Sequence, residues 1–166
     1  MHQNQILLST SKISKRAIEV GKLLEQNGVS HFEEPCRYWK LEETKQVTEA
    51  LSIDVTGGEQ DWDFIVWQKI LDLNVVDILQ PDVMYMGGIT RTLEVAKMAA
   101  NRNKIVTPHS ANLSLVTICT MHLLKAIPNA GKYLEYSIES VLLQIGCGIT
   151  SLGALVPEEL SLINSK

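Results

Sequence analysis

The feature that most constrains the fold is a regular alternation of helical and strand-like segments along the chain. Apolar residues at helical spacing begin near residue 14 and stop at Asn27-Gly28, and a short apolar run follows directly. The same order recurs with a period of about 25 residues. The predicted strands lie at 29–32, 53–56, 76–79, 104–107 and 133–136, and the predicted helices at about 14–26, 41–51, 63–73, 90–101 and 113–127. This alternation predicts an α/β fold with a parallel sheet and right-handed crossovers.

The number of predicted strands limits how far such a sheet can close. An eight-stranded β/α barrel typically needs roughly 250 residues, whereas this chain has 166 residues and about five predicted strands. No linker or domain boundary stands out between the units. We therefore expect an open α/β sheet or part of a barrel.

Composition excludes several classes of partner. The formal net charge of −4 argues against a protein that binds nucleic acid or an anionic membrane surface, and it favours a small-molecule partner. The three cysteines form no CxxC pair, which is typical of a reducing compartment. No window approaches the 18 apolar residues of a membrane span, and no secretory leader is recognisable. We expect a cytoplasmic protein.

Polar side chains follow the predicted strands, each about one βα unit after the last. They are Glu33, Glu59, Asp82, His109 and Glu135. The carboxyl ends of parallel strands lie at the same edge of a sheet, so we expect these side chains to converge there. Two carboxylates on adjacent strands are hard oxygen ligands suited to Mg²⁺, and an Asp beside a His is a common way to orient an imidazole base.

A simpler interpretation applies to any one acidic residue after a strand. Such a residue is more often a helix N-cap or a first-turn residue that the helix dipole favours. We interpret Glu34, beside Glu33, in this way, and likewise Asp61 and Asp63. Convergence of several residues, rather than any single one, is the functional signal.

Four motifs in this order resemble the enolase superfamily, specifically its mandelate racemase and muconate lactonizing enzyme-like branch. The motifs are Phe32-Glu33-Glu34-Pro35, Gly58-Glu59-Gln60, Gln80-Pro81-Asp82-Val83 with Gly87-Gly88-Ile89-Thr90 after it, and Thr107-Pro108-His109-Ser110. The resemblance implies a partial TIM barrel of about five βα units. It implies an enolase-type C-terminal barrel over 1–139 that lacks the N-terminal capping domain and the first strands, with a divergent tail at 140–166.

The resemblance also implies a role for each strand-end residue. Glu33 and Glu59 match ligands of a catalytic Mg²⁺, Asp82 and His109 match an Asp-His pair that moves a proton, and Glu135 matches an acid that hydrogen-bonds an enediolate. The position of a further metal ligand falls on Leu7. An aliphatic side chain cannot bind Mg²⁺.

Several activities remain open on this resemblance. It implies a Mg²⁺-dependent acid-sugar dehydratase, a lyase of carbohydrate acid catabolism that acts on a sugar acid or another 2-hydroxy carboxylate, here in a truncated form with impaired activity. One alternative is a racemase or epimerase, an isomerase of the same family. Another is a non-catalytic α/β fragment, or a half-barrel that assembles with another chain. We expect a homo-oligomer, because an incomplete barrel exposes a strand edge that templates pairing.

Overall fold

The computed structural model describes residues 12–110 and 114–134, which form five helices alternating with four strands. The helices are α1 (Lys12–Gln26), α2 (Leu41–Ala50), α3 (Phe64–Asp72), α4 (Ile89–Ala100) and α5 (Leu115–Ala126). The strands are β1 (His31–Glu33), β2 (Asp54–Gly57), β3 (Ile78–Leu79) and β4 (Ile105–Val106). The predicted α/β class is confirmed.

The four strands form one parallel sheet in which each strand pairs with the next one along the chain. Glu33 lies opposite Thr56, Thr56 opposite Ile78, and Ile78 opposite Ile105. Because all strands run the same way, the sheet has one carboxyl edge, which leads into the βα loops, and one amino edge.

The core lies on one face of this sheet. The register partners Glu33, Thr56, Ile78 and Ile105 point to one face of the sheet. On the other face lie Val55, Leu79 and Val106, each at most 1% exposed. They belong to one apolar cluster with helix residues that include Trp67 of α3 and Val95 of α4. On the face of the register partners, Ile105 is 44% exposed. The described helices therefore cover one face, and the opposite face carries Glu33.

Local signals in the sequence explain where several helices begin and end. Asp63 caps α3, because its Oδ1 accepts a hydrogen bond from the Ile65 backbone N–H at 2.8 Å. Ser114 caps α5 through Val116 N–H at 3.2 Å. After α1, Gly28 adopts a positive φ of 74°, a conformation in which glycine commonly ends a helix. Among the described helices, none is long and apolar enough to cross a membrane.

Three of the four described strands are shorter than predicted, and β2 keeps the predicted length but is shifted by one residue. An apolar run marks burial rather than backbone pairing. Val75 and Val76 are buried, yet β3 begins only at Ile78. The predicted strand at 133–136 lies partly outside the described residues, and its residues Tyr133 and Leu134 are not in a strand. Instead, Ala130 forms an isolated parallel bridge with Val106.

Candidate active site

Asp82 and His109 form the best-defined pair at the carboxyl edge. They follow β3 and β4 and lie opposite each other in an isolated parallel bridge. Asp82 Oδ2 is 2.8 Å from His109 Nδ1, and Asp82 Oδ1 accepts backbone N–H bonds from Met84 at 2.6 Å and Tyr85 at 3.0 Å. Burial acts to raise the pKa of Asp82, but the hydrogen bonds from His109 and the two backbone N–H groups outweigh it and hold that pKa below its ordinary value. Asp82 is thus a fixed carboxylate that orients the imidazole.

The other nitrogen of the same ring faces Glu59. His109 Nε2 lies 3.1 Å from Glu59 Oε2. An imidazole between two carboxylates donates from both nitrogens only when it is protonated. The arrangement therefore suits a histidine that holds and releases a proton at Nε2.

The turn that carries Glu59 is built on a close backbone approach. Gly58 has a φ of 105°, and a Cβ at this position would lie 2.5 Å from the Trp67 ring. Trp67 is fully buried, and its indole N–H donates to Met86 Sδ at 3.2 Å. A rigid core side chain thus limits where the chain before Glu59 can lie.

Glu33 ends β1 and is held by a residue two strands away. Gln80, which follows β3, donates from Nε2 to Glu33 Oε1 at 2.6 Å. The Gln80 residue is 7% exposed, and its backbone N–H bonds to Gly57 O at 3.0 Å. Gln80 is a contact that the sequence analysis did not single out, although it stands within the motif that precedes Asp82.

Glu34 also belongs to the site, so its interpretation as a helix-start residue is wrong. Helix α2 begins later, at Leu41. Glu34 has a φ of 40°, and its N–H donates to Thr56 O at 3.0 Å. Burial, then the negative charges of Glu59 and Glu33, raise the pKa of Glu34. Strand alternation predicts that the side chains of Glu33 and Glu34 point to opposite faces. The positive φ of Glu34 brings both to the site, and nothing in the sequence signals that angle.

Asp61 is a second residue that the sequence analysis misassigned. Asp63 is the cap of α3, whereas Asp61 is 7% exposed. Burial, with a smaller contribution from the charge of Glu34, raises the pKa of Asp61 to about 6. The carboxyl edge thus holds an acidic cluster, defined here as Glu33, Glu34, Glu59 and Asp61.

Two residues of this cluster, Glu33 and Glu59, carry the type of oxygen donor that a hard divalent cation prefers. Glu33 and Glu59 come from adjacent parallel strands, and Mg²⁺ is commonly held by one or two carboxylates with water at its other positions. Within residues 12–110 and 114–134, Glu34 Oε1 is buried and makes no hydrogen bond, so one oxygen of this cluster has no protein donor. In the described part of the chain, no group of three or more His, Cys, Asp or Glu residues is arranged to hold a metal ion. Glu135 and Leu7 lie outside the described residues.

Comparisons with known proteins agree with this geometry. Residues 11–146 match the family described as Enolase C-terminal domain-like. The chain is 29% identical over 113 residues to arabinonate dehydratase from Saccharolobus solfataricus, an alignment that covers 68% of this chain and 30% of that protein.

Two solved structures are similar over most of the described chain. One, from Roseobacter denitrificans and described as a candidate racemase, is 60% identical with a TM-score of 0.79, over 82% of this chain and 37% of that one. The other is a mandelate racemase/muconate lactonizing protein from Paracoccus denitrificans in complex with magnesium. It is 30% identical with a TM-score of 0.69, over 76% of this chain and 34% of that one. The chain spans about a third of the length of these relatives.

The parallel sheet, the strand-end motifs and the matched range lead to one assignment. The chain belongs to the enolase superfamily, in which it matches the C-terminal domain of the mandelate racemase-like branch.

Proposed function

We propose that this chain carries the proton-transfer and cation-binding residues of an acid-sugar dehydratase. The observation that supports it most is His109, whose Nδ1 is held by Asp82 at 2.8 Å while Nε2 faces Glu59 at 3.1 Å. This places a proton-carrying nitrogen beside a carboxylate of the acidic cluster. The similarity to arabinonate dehydratase from Saccharolobus solfataricus supports this choice of reaction class.

The proton step follows from how Asp82 holds the ring. Asp82 accepts a hydrogen bond from the Nδ1–H of His109, and the proton stays on Nδ1. Nε2 is therefore the nitrogen that exchanges a proton with the substrate. The α-C–H bond of a 2-hydroxy carboxylate breaks, its proton goes to Nε2, and its electron pair forms the enediolate. His109 then returns the proton to the departing β-hydroxyl, which leaves as water, and the product becomes a 2-keto-3-deoxy acid.

Glu33 and Glu59 would hold Mg²⁺ in this proposal. When bound, Mg²⁺ supplies positive charge that stabilises an enediolate and makes a weak carbon acid reactive. Glu135 would supply the acid that hydrogen-bonds the enediolate. The magnesium-bound relative from Paracoccus denitrificans supports the choice of cation.

A racemase is the second candidate, because the Roseobacter protein, 60% identical, is described as a candidate racemase. Both reactions begin with the same removal of the α-proton by His109. They differ in the next step, since a racemase returns a proton to the α-carbon and a dehydratase expels the β-hydroxyl. Product identity therefore separates them.

Exchange of the α-proton in D₂O tests the step that both reactions share. The chain is incubated in D₂O with Mg²⁺ and a panel of aldonic and aldaric acids. We expect these acids to take up deuterium at the α-carbon, which proton NMR detects as loss of the α-proton signal. His109→Asn should slow this exchange by at least about 100-fold, because the base is lost. His122→Asn, an exposed position on α5, is the matched control and should leave it unchanged.

The same samples distinguish the outcomes. Formation of a 2-keto-3-deoxy acid supports the dehydratase, and deuterated substrate of inverted configuration supports the racemase. An exchange rate that His109→Asn does not lower would contradict the proposal.

A further inference from the structure

Gln80 connects two strands that are not neighbours. It follows β3, yet its side chain reaches Glu33 at the end of β1, with β2 between them in the sheet. The distance from Gln80 Nε2 to Glu33 Oε1 is 2.6 Å. Gln80 therefore makes a direct hydrogen bond to Glu33, a candidate cation ligand.

The chemistry of the two groups fixes the orientation of the amide. A carboxylate only accepts hydrogen bonds, so the NH₂ group of Gln80 must face Glu33. The amide oxygen then points away from Glu33. It is buried, and within residues 12–110 and 114–134 it has no hydrogen-bond partner.

A purely structural role does not explain this arrangement. A buried amide with an unsatisfied oxygen lowers stability relative to an apolar side chain of the same shape. The sheet hydrogen bond at this position comes from the Gln80 backbone N–H to Gly57 O, so the side chain is not needed for it. The observable effect of the side chain is on the Glu33 carboxylate.

We propose that Gln80 is a positioning residue that sets the cation affinity of the site through Glu33. Its N–H engages Oε1 and fixes the carboxylate, so that the second oxygen of Glu33 is left for a cation. Outer contacts of this kind orient metal ligands in many sites. The inference rests on the cation site of the proposed function.

Magnesium titration by calorimetry on the full chain tests the inference. Gln80→Met keeps the length of the side chain but removes the donor, and we expect Mg²⁺ affinity to fall about tenfold or more. The urea midpoint of this variant should not fall, because the unsatisfied amide oxygen is removed as well. Lower affinity at undiminished stability is a combination that a merely structural residue does not produce.

Two further variants serve as controls. Gln80→Asn keeps the amide but is one methylene too short to reach Glu33, so it should lose affinity like Gln80→Met. Gln68→Met removes an exposed amide bonded to Asp72 and should leave affinity unchanged. If Gln80→Met does not fold, Gln80→Asn decides the question.

A metal-free measurement checks the contact itself. The side-chain amide pair of Gln80 in a ¹H–¹⁵N spectrum should shift in Glu33→Gln, since the carboxylate that it binds is lost. An unmoved amide signal overturns the inference. Equal Mg²⁺ affinity in wild type and both Gln80 variants overturns it and leaves the proposed function intact, whereas a wild-type chain that binds no Mg²⁺ overturns both.

Discussion

The two ends of the sheet use their carboxylates in opposite ways. At the amino end, Glu25 accepts hydrogen bonds from the backbone N–H and the hydroxyl of Ser52, and Asp77 Oδ2 accepts from Val55 N–H at 2.9 Å. The Ser52 backbone bond, together with Lys22, lowers the pKa of Glu25 to about 2. Each of these carboxylates has donors that stabilise its charge, and each joins neighbouring segments of the fold.

At the carboxyl end, Asp82 also has donors, but the carboxylates of the acidic cluster lie near one another. The pKa values of Glu34 and Asp61 are raised, in both cases first by burial and then by a neighbouring carboxylate. Two buried oxygens, Glu34 Oε1 and Gln80 Oε1, also lie here and have no hydrogen-bond partner among the described residues. Charge at the amino end therefore supports the fold, whereas the charge of the acidic cluster at the carboxyl end is maintained at the expense of stability, as is typical of functional sites.

The largest expected effect is a loss of unfolding free energy on replacing a glycine, with one glycine taken from each end of the sheet. Gly58→Ala at the carboxyl end combines a positive φ of 105° with a Cβ 2.5 Å from the Trp67 ring, so we expect a loss of about 2–5 kcal/mol in unfolding free energy. Gly28→Ala at the amino end has a positive φ but open space around its Cβ and should lose about 1–2 kcal/mol. Urea denaturation measures both. Equal losses would show that the carboxyl-end turn is no more constrained than the other.

Removing one aspartate charge from each end of the sheet should change the unfolding free energy in opposite directions. Asp61→Asn removes a buried charge beside Glu34 and should raise the unfolding free energy by about 1–2 kcal/mol at pH 7. Asp77→Asn weakens the bond to Val55 N–H and should lower it by about 0.5–1 kcal/mol. Both are measured by urea denaturation in EDTA. Destabilisation by Asp61→Asn would mean that the carboxyl end is not electrostatically strained.

The smallest effect concerns pH at the amino end. Because its folded pKa is lowered from 4.5 to about 2, Glu25 contributes stability above pH 4.5 that is lost as the pH falls through about 2. Glu25→Gln should therefore flatten the fall of the thermal midpoint between pH 4.5 and 2. Glu19→Gln, which affects an exposed pair with Arg16, is the control and should follow wild type. Parallel curves for Glu25→Gln and wild type would contradict the assignment.

The sequence predicted the order of elements and the pairing of Asp82 with His109 in space. Both follow from periodicity, since residues one βα unit apart on parallel strands reach the same edge. Strand bounds could not be predicted in the same way. The predicted strand at 29–32 begins two residues before β1 and ends one residue too early, because pairing with β2 runs from His31 to Glu33. Apolar character does not determine hydrogen-bond register.

Glu34 and Asp61 show why part of the site could not be predicted. A single backbone angle, the φ of 40° at Glu34, brings that side chain into the acidic cluster, and no residue type in the motif signals it. Asp61 and Asp63 are chemically alike and two residues apart, but only tertiary packing decides that one is buried and the other caps α3. Gln80 was hidden for a related reason, since its partner lies two strands away.

The consecutive order of the strands has a consequence for how the site assembles. Each strand pairs with the one before it in the chain, so during synthesis the sheet can grow one unit at a time from the N-terminal side. The acidic residues of β1 and β2 then come together before β4 has formed. His109, whose charge acts to lower the pKa of Glu34, arrives only when β4 docks on β3. His109 thereby also relieves the repulsion among the acids made before it, and this favours the docking of β4 on electrostatic grounds.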